Sequence, residues 1–110
     1  MPRALVTMPK TAARGEVLEI RTLIAHPMET GYRAGMDGAI LPRNIIRRFS
    51  CRYFDGHDDM LVFSAELFPA IAANPFIAFS TVATASGVLR FEWSGDNGFV
   101  QAESVELTVT

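Results

Sequence analysis

The feature that most constrains this chain is a period-two alternation of apolar and polar side chains within short segments free of proline and glycine. In an early segment Leu18, Ile20 and Thr22 share one face, whereas Glu19 and Arg21 lie on the other. Successive side chains of a β-strand point to opposite faces, so this pattern predicts strands with one buried side and one solvent-facing side. The same period recurs at residues 48–53, 89–93 and 104–109.

Turn-forming residues separate these segments, as at Asp55-Gly56, at Ser86-Gly87 and in the run 94–98, because Gly and Asn tolerate positive φ. We predict about seven strands, near residues 3–8, 16–26, 44–54, 59–67, 76–84, 87–94 and 100–109, and little helix beyond one turn at 70–73. In 110 residues this pattern predicts an all-β fold, an immunoglobulin-like antiparallel β-sandwich forming a single domain over residues 1–110. A closed barrel is the alternative.

Composition excludes several classes of function. The net charge is −2, with 10 Lys+Arg against 12 Asp+Glu, so nothing attracts the whole chain to nucleic acid or to an anionic membrane. No apolar run is long enough to span a bilayer, and the first fifteen residues do not resemble a signal peptide. A single cysteine allows no internal disulfide, so packing must hold the fold.

One metal site is worth weighing, because a mononuclear copper site on a β-sandwich uses two His, one Cys and an axial Met. Cys51, His57 and Met60 follow one another around a turn, and His26 lies upstream. A copper loop of that kind should join two late strands, however, and this turn lies mid-chain. Because Cys51 shares a strand face with Phe49, we predict a buried cysteine and no metal ligands.

Other signals for chemistry are weak. Arg48 and Arg52 lie on the strand face opposite Cys51, which argues against a cysteine activated by positive charge. These two residues, with Arg43 and Arg47, form the densest basic cluster, and we interpret it as a solvated strand face because acidic residues follow it directly. No Ser/His/Asp set or phosphate-binding glycine loop occurs, so we predict no catalytic and no cofactor-binding residues. Nine of the ten basic residues are arginine, a bias typical of protein interfaces.

Several longer runs of sequence resemble SoxZ, the family of partner subunits of the SoxYZ sulfur carrier. They are 8–12 (MPKTA), 15–24 (GEVLEIRTLI), 26–31 (HPMETG), 42–46 (PRNII), 74–79 (NPFIAF) and 81–84 (TVAT). The resemblance covers nearly the whole chain.

The resemblance implies a function that the residues alone do not. In bacterial thiosulfate oxidation a SoxY subunit carries sulfur intermediates on the cysteine of a glycine-rich C-terminal arm, and SoxZ is its β-sandwich partner. The present chain would then be a non-catalytic subunit of a heterodimer that makes transient contacts with the Sox enzymes. The segment 105–110 lacks glycine and cysteine, so we expect no sulfur on this chain. The resemblance also implies a periplasmic location, reached by co-export with the partner.

Two hypotheses therefore remain open: a carrier-complex subunit, and a small metal-binding or redox sandwich that uses His26, Cys51, His57 and a methionine. The family-like runs at 26–31 and 42–46 suggest where a partner makes contact. The residues we predict for that contact are His26, Met28, Glu29, Thr30, Arg43 and Asn44.

Overall fold

A computed structural model describes residues 4–32, 34–68 and 73–110. Its elements, in chain order, are β1 (Ala4–Thr7), β2 (Thr11–Ala12), β3 (Val17–Ile24), β4 (Ile46–Phe54), β5 (Asp59–Glu66), β6 (Phe76–Val82), β7 (Gly87–Gly95), a 3-10 turn (Asp96–Gly98) and β8 (Val100–Val109). The seven predicted strands are all present, and β2 is an addition. The helical turn predicted at 70–73 falls largely on residues outside those described. In the described part no helix is both long and apolar enough to cross a membrane.

The strands form two sheets. A three-stranded sheet has the order β1-β3-β6, and a five-stranded sheet has the order β2-β8-β7-β4-β5. All pairs are antiparallel except β2 with β8, a two-residue parallel pair. The predicted immunoglobulin-like sandwich is confirmed, and two separate sheets replace the alternative of a closed barrel.

Alternation determines which side of each strand enters the core. On β3 the even-numbered positions from Leu18 to Ile24 are buried, whereas the odd-numbered positions are exposed. Thr22 is the polar member of the buried set, and its hydroxyl donates to the Ile77 carbonyl at 2.9 Å. Satisfying that hydroxyl inside the protein removes the cost of burying it.

Aromatic rings fill the centre of the sandwich. Phe49 lies at the middle of the group, with ring centroids 5.1 Å from Trp93, 6.0 Å from Phe79 and 6.5 Å from Phe91. All of these rings except Phe79 are fully buried. Aromatic pairs at such distances add about 0.5–1.5 kcal/mol each beyond the area they bury. The core is therefore closed around β4 and β7, the two central strands of the larger sheet.

Candidate functional site

The loop that follows β3 is fixed at one end of the sandwich. The N–H of His26 donates to Asn74 Oδ1 at 2.9 Å, and the N–H of Asn74 donates to the His26 carbonyl at 2.7 Å. The imidazole is 4 % exposed and stands edge-on to Phe99, with ring centroids 4.9 Å apart. Burial lowers the pKa of His26 below its ordinary value of 6.5, and the nearby Asp96 carboxylate only partly offsets that shift. His26 thus joins two loops rather than facing solvent.

Met28 continues the same arrangement. Its N–H donates to His26 Nδ1 at 3.0 Å, and its Sδ accepts a hydrogen bond from the N–H of Ile46 at 3.2 Å. The side chain is 4 % exposed, and φ is +51°, a left-handed conformation that is uncommon outside glycine. This chain reversal brings the residues after β3 against the beginning of β4.

The other predicted contact residues gather around that point. Glu29 and Asn44 exchange two backbone hydrogen bonds of 2.8 Å, and Thr30 Oγ1 accepts from the N–H of Tyr32 at 3.2 Å. Arg43 is exposed, whereas Glu29, Thr30 and Asn44 are half-buried. The structure therefore brings all six residues to one end of the sandwich, with His26 and Met28 beneath the other four. Their use in partner contact stays a prediction.

Arg43 and Asp96 form the main charged contact at this end. Nε and Nη2 of Arg43 donate to the two carboxylate oxygens at 2.8 and 3.0 Å, and the N–H of Ile45 adds a third bond at 3.2 Å. Desolvation raises the pKa of Asp96, but these bonds and the charges of Arg43 and Arg47 outweigh it, so the pKa lies below its ordinary value of 3.8. The pair joins the segment before β4 to the turn between β7 and β8.

The residues of the metal hypothesis are not brought together. His26 accepts the N–H of Met28, whose sulfur contacts Ile46 at the beginning of β4, whereas His57 follows Phe54 at the end of that strand, roughly 27 Å away. Cys51 lies between them in the core, fully buried, and burial raises the pKa of its thiol to about 12. Within residues 4–32, 34–68 and 73–110 no group of three or more His, Cys, Asp or Glu could hold a metal ion.

His57 lies in the turn between β4 and β5, which the side chain of Asp55 stabilises. Oδ1 of Asp55 accepts hydrogen bonds from the N–H of Asp58 at 2.7 Å and from the N–H of His57 at 2.9 Å. These two bonds, in that order, are the main reason that the pKa of Asp55 is lowered. Side-chain capping of this kind stabilises a tight connection between antiparallel strands. The histidine is exposed on that turn.

One feature was missed by sequence reasoning: the side of the sandwich where the edge strands β5 and β6 meet, which we call the open side. Phe63 of β5 and Phe79 of β6 stack there with centroids 4.7 Å apart and ring planes 9° apart. Both rings are only half-buried, and Met60, three residues before Phe63 on the same strand, is 45 % exposed. The available signal was the absence of any charge in β5 between Asp59 and Glu66 and anywhere in β6.

Comparison with known proteins gives both a family and a fold. The family model described as sulphur oxidation protein SoxZ matches residues 6–106. A search of curated proteins gave no significant match.

Among solved structures, the fold is similar to a superoxide reductase (neelaredoxin) from Ignicoccus hospitalis, with a TM-score of 0.74, 14% identity, and coverage of 97% of this chain and 80% of that one. It is also similar to the sulfur carrier protein SoxY from Chlorobium limicola f thiosulfatophilum, with a TM-score of 0.65, 14% identity, and coverage of 97% and 78%. At such low identity these likenesses show the fold alone. The match over residues 6–106 goes further: this chain belongs to the SoxZ family of sulphur oxidation proteins.

Proposed function

We propose that this chain is the non-catalytic subunit of a heterodimeric sulfur carrier in thiosulfate oxidation. Its partner is a SoxY-type subunit, whose C-terminal arm cysteine carries the sulfur intermediates. The chain holds the body of the carrier and helps present it, through transient contacts, to the Sox enzymes. The observation in the structure that carries this proposal is the open side, an apolar surface that a lone domain leaves uncovered.

Burial changes sharply across this part of the sandwich. Cys51 and Phe91 on the central strands are fully buried, whereas Phe63, the residue paired with Cys51 on β5, is only half-buried. Covering apolar surface yields about 25 cal/mol per Å². A partner that closes the open side therefore completes a core that this chain leaves unfinished.

The edges themselves support the same function. β5 and β6 are the outermost strands of their sheets at the open side. Soluble proteins usually protect such edges with lysine, proline or inward charges, because an unpaired strand recruits other strands. Neither β5 nor β6 contains lysine or proline, and the protection that β5 does have is a single irregularity at Val62, between the partners of Cys51 and Arg52. A second β-sandwich fits these edges well, and the SoxY of Chlorobium limicola f thiosulfatophilum shares this fold.

A periplasmic location belongs to the same proposal. A heterodimer that assembles before export would reach the periplasm as a unit, on a signal carried by the partner. Fractionation of cells that express the chain with and without its partner tests this. We expect the chain in the periplasmic fraction only when the partner keeps its signal.

The heterodimer is tested by size exclusion with light scattering on the chain coexpressed with a SoxY-type subunit. We expect a stable 1:1 complex, and self-association or lower stability when the chain is alone. Met60→Lys introduces a charge at the open side and should weaken the complex at least about tenfold.

Leu5→Lys is the matched control, because Leu5 is 60 % exposed on β1, at the opposite edge of the three-stranded sheet. It should change the affinity less than about threefold, since it adds the same charge away from the open side. A monodisperse, stable monomer that ignores the partner at micromolar concentration would refute the assignment. If Met60→Lys and Leu5→Lys weaken the complex equally, the interface does not lie at the open side.

A further inference from the structure

A cleft of about 440 Å³ opens at the end of the sandwich where β4 begins. Its walls come from the beginning of β4, the end of β5 and the end of β7. Its lining includes three arginines and one carboxylate, together with an aromatic ring and a glycine: Arg43, Arg47, Arg48, Glu66, Phe68 and Gly95. It adjoins the open side, because β5 contributes to both.

An irregularity in β4 gives this cleft its charge. Ile46 pairs with Gly95 and Arg48 pairs with Ser94, so Arg47 is an extra residue in a β-bulge. A bulge of this kind redirects a side chain. Arg47 and Arg48 are both exposed and both line the cleft, whereas strict alternation would have placed them on opposite faces.

The bulge is held firmly by its surroundings. The carbonyl of Arg47 accepts a hydrogen bond from the N–H of Leu67 at 2.8 Å, which ties it to the end of β5. On the other side, a Cβ at Gly95 would lie only 2.2 Å from the Ile45 carbonyl oxygen, so a residue without a side chain is required there. The arginines therefore project from a fixed backbone rather than from a loose loop.

The three arginines differ in how far they are neutralised. Arg43 is held by two hydrogen bonds to Asp96. Arg48 lies 3.8 Å from Glu66, and because both side chains are largely exposed this pair contributes little. In the described part of the chain no carboxylate lies within 4.0 Å of Arg47. Three cations face two anions here, so the cleft keeps one unbalanced positive charge in a chain whose net charge is −2.

We propose that this cleft binds a sulfonate-type sulfur oxoanion, with Arg47 as the principal ligand. The chemical class rests on the proposed function, which supplies two sources of that group: free thiosulfate, and a cysteine that carries the group as an S-sulfonate on a partner's arm. A planar guanidinium donates paired hydrogen bonds that match tetrahedral oxoanions well.

The dimensions suit an anion presented on a peptide. Thiosulfate has five heavy atoms and takes roughly 150 Å³ at about 30 Å³ per water-sized atom, much less than the cleft volume. The remaining space is enough for a short glycine-rich segment. Phe68, 63 % exposed, supplies an apolar wall for that segment. A partner seated on the open side would bring its arm to this cleft without crossing the sandwich.

The test is titration of the isotope-labelled chain, followed by nuclear magnetic resonance, at a concentration where light scattering shows a monomer and at constant ionic strength set with chloride. The probes are sodium thiosulfate, the peptide Gly-Gly-Cys-Gly-Gly as its S-sulfonate, and the same peptide with a free thiol. We expect saturable shifts at the amides of residues 45–48 and 94–95 with the two oxoanion probes and none with the thiol peptide. Tighter binding of the S-sulfonate peptide identifies the arm as the source, and equal or tighter binding of thiosulfate identifies the free anion.

Variants separate a specific ligand from general charge. Arg47→Gln should weaken binding at least about tenfold, and Arg47→Lys should fall between it and the wild type, because lysine keeps the charge but loses the paired donors. Arg21→Gln is the matched control on the other sheet, and it should change binding less than about twofold. Equal effects of Arg47→Gln and Arg21→Gln, or no saturable binding of either oxoanion, would overturn the proposal.

These outcomes are independent of the heterodimer. Arg47→Gln should leave coelution with a SoxY-type subunit unchanged. Anion binding without any complex would contradict the proposed function and leave the cleft standing. A normal complex without anion binding would overturn the anion site in the cleft and leave the proposed function standing.

Discussion

The phenolic hydroxyl of Tyr53 on β4 donates a hydrogen bond to the carbonyl of Ala85, in the connection between β6 and β7. The same oxygen accepts from the N–H of Ala85 at 3.3 Å and from the N–H of Thr84 at 3.4 Å. The Tyr53 side chain itself is fully buried. One side chain of the larger sheet therefore holds the segment through which the chain crosses from the smaller sheet to the larger one.

Removing that hydroxyl should destabilise the fold. Tyr53→Phe leaves the backbone groups of Ala85 without their partner in a half-buried site, and we expect the free energy of unfolding to fall by about 0.5–1.5 kcal/mol. Urea unfolding followed by circular dichroism measures the change. Tyr32→Phe is the control, because Tyr32 is 82 % exposed, and it should lie within about 0.5 kcal/mol of the wild type. A loss of less than 0.5 kcal/mol for Tyr53→Phe would contradict this role.

Most of the fold follows from local sequence. Alternation on β3 and on the stretch from Phe49 to Tyr53 correctly assigns buried and exposed faces, because one side of each strand must leave water. The parallel pairing of β2 with β8 was not predictable, since two residues carry no periodic signal. The alternation at residues 48–53 puts Tyr53 on the buried face with Phe49 and Cys51, but the bond from Tyr53 to Ala85 joins residues 32 positions apart and has no local signature.

The candidate sites were less predictable for a physical reason. A bulge shifts alternation by one residue, and nothing in the sequence around Arg47 marks it. Sequence reasoning therefore interpreted the arginines as one solvated strand face. Arg52 fits that interpretation, because it pairs with Asp59 at 3.0 Å, whereas Arg47 turns into the cleft. The open side depends on how far the smaller sheet covers the larger one, which is a tertiary property.

Cys51 should be chemically inert in the native protein. It is fully buried on β4, and burial raises the pKa of its thiol to about 12, so almost no thiolate is present at neutral pH. Labelling with a thiol reagent at pH 7.5 should be about a hundredfold or more slower than in urea. An engineered Ser64→Cys in a Cys51→Ala background, exposed on β5, should react quickly and serves as the control.

Two results would contradict an inert Cys51. One is labelling of the native protein as fast as of the denatured chain. The other is loss of the SoxY-type complex, or of carrier turnover, in a well-folded Cys51→Ala protein. Either would give the thiol a part in the chemistry that its position in the core does not suggest.

The purified chain should bind no stoichiometric copper. His26 and His57 lie beyond opposite ends of β4, and Cys51 is buried between them, so the ligands do not converge. Titration with copper(II) should give no intense visible band. One tight equivalent of metal per chain, abolished by His57→Ala, would revive the hypothesis of a redox sandwich.

The stability of the chain should fall as the pH drops below about 6.5, because of His26. In the folded state Nδ1 accepts the N–H of Met28, and burial lowers the pKa of the imidazole below its ordinary value of 6.5. The unfolded chain therefore binds a proton that the folded chain does not, between pH 6.5 and the lower folded pKa. In that window each pH unit removes at most about 1.4 kcal/mol from the free energy of unfolding. Below the folded pKa both the folded and the unfolded chain bind the proton, so His26 no longer makes the free energy of unfolding depend on pH.

His26→Asn tests this assignment. The asparagine Oδ1 is able to accept the N–H of Met28 but does not titrate, so the fall in stability between pH 7 and pH 5 should largely disappear. Urea unfolding at half-unit pH intervals measures it. His57→Asn, at an exposed histidine of the β4–β5 turn, is the matched control and should keep the wild-type fall. Asp55 and Asp96 do not contribute to a fall between pH 7 and pH 5. Their pKa values are lowered, so the stabilisation that they give is lost only as the pH drops below 3.8. A wild-type profile that is flat from pH 7 to pH 5, or one that His57→Asn abolishes and His26→Asn does not, would contradict a buried, neutral His26.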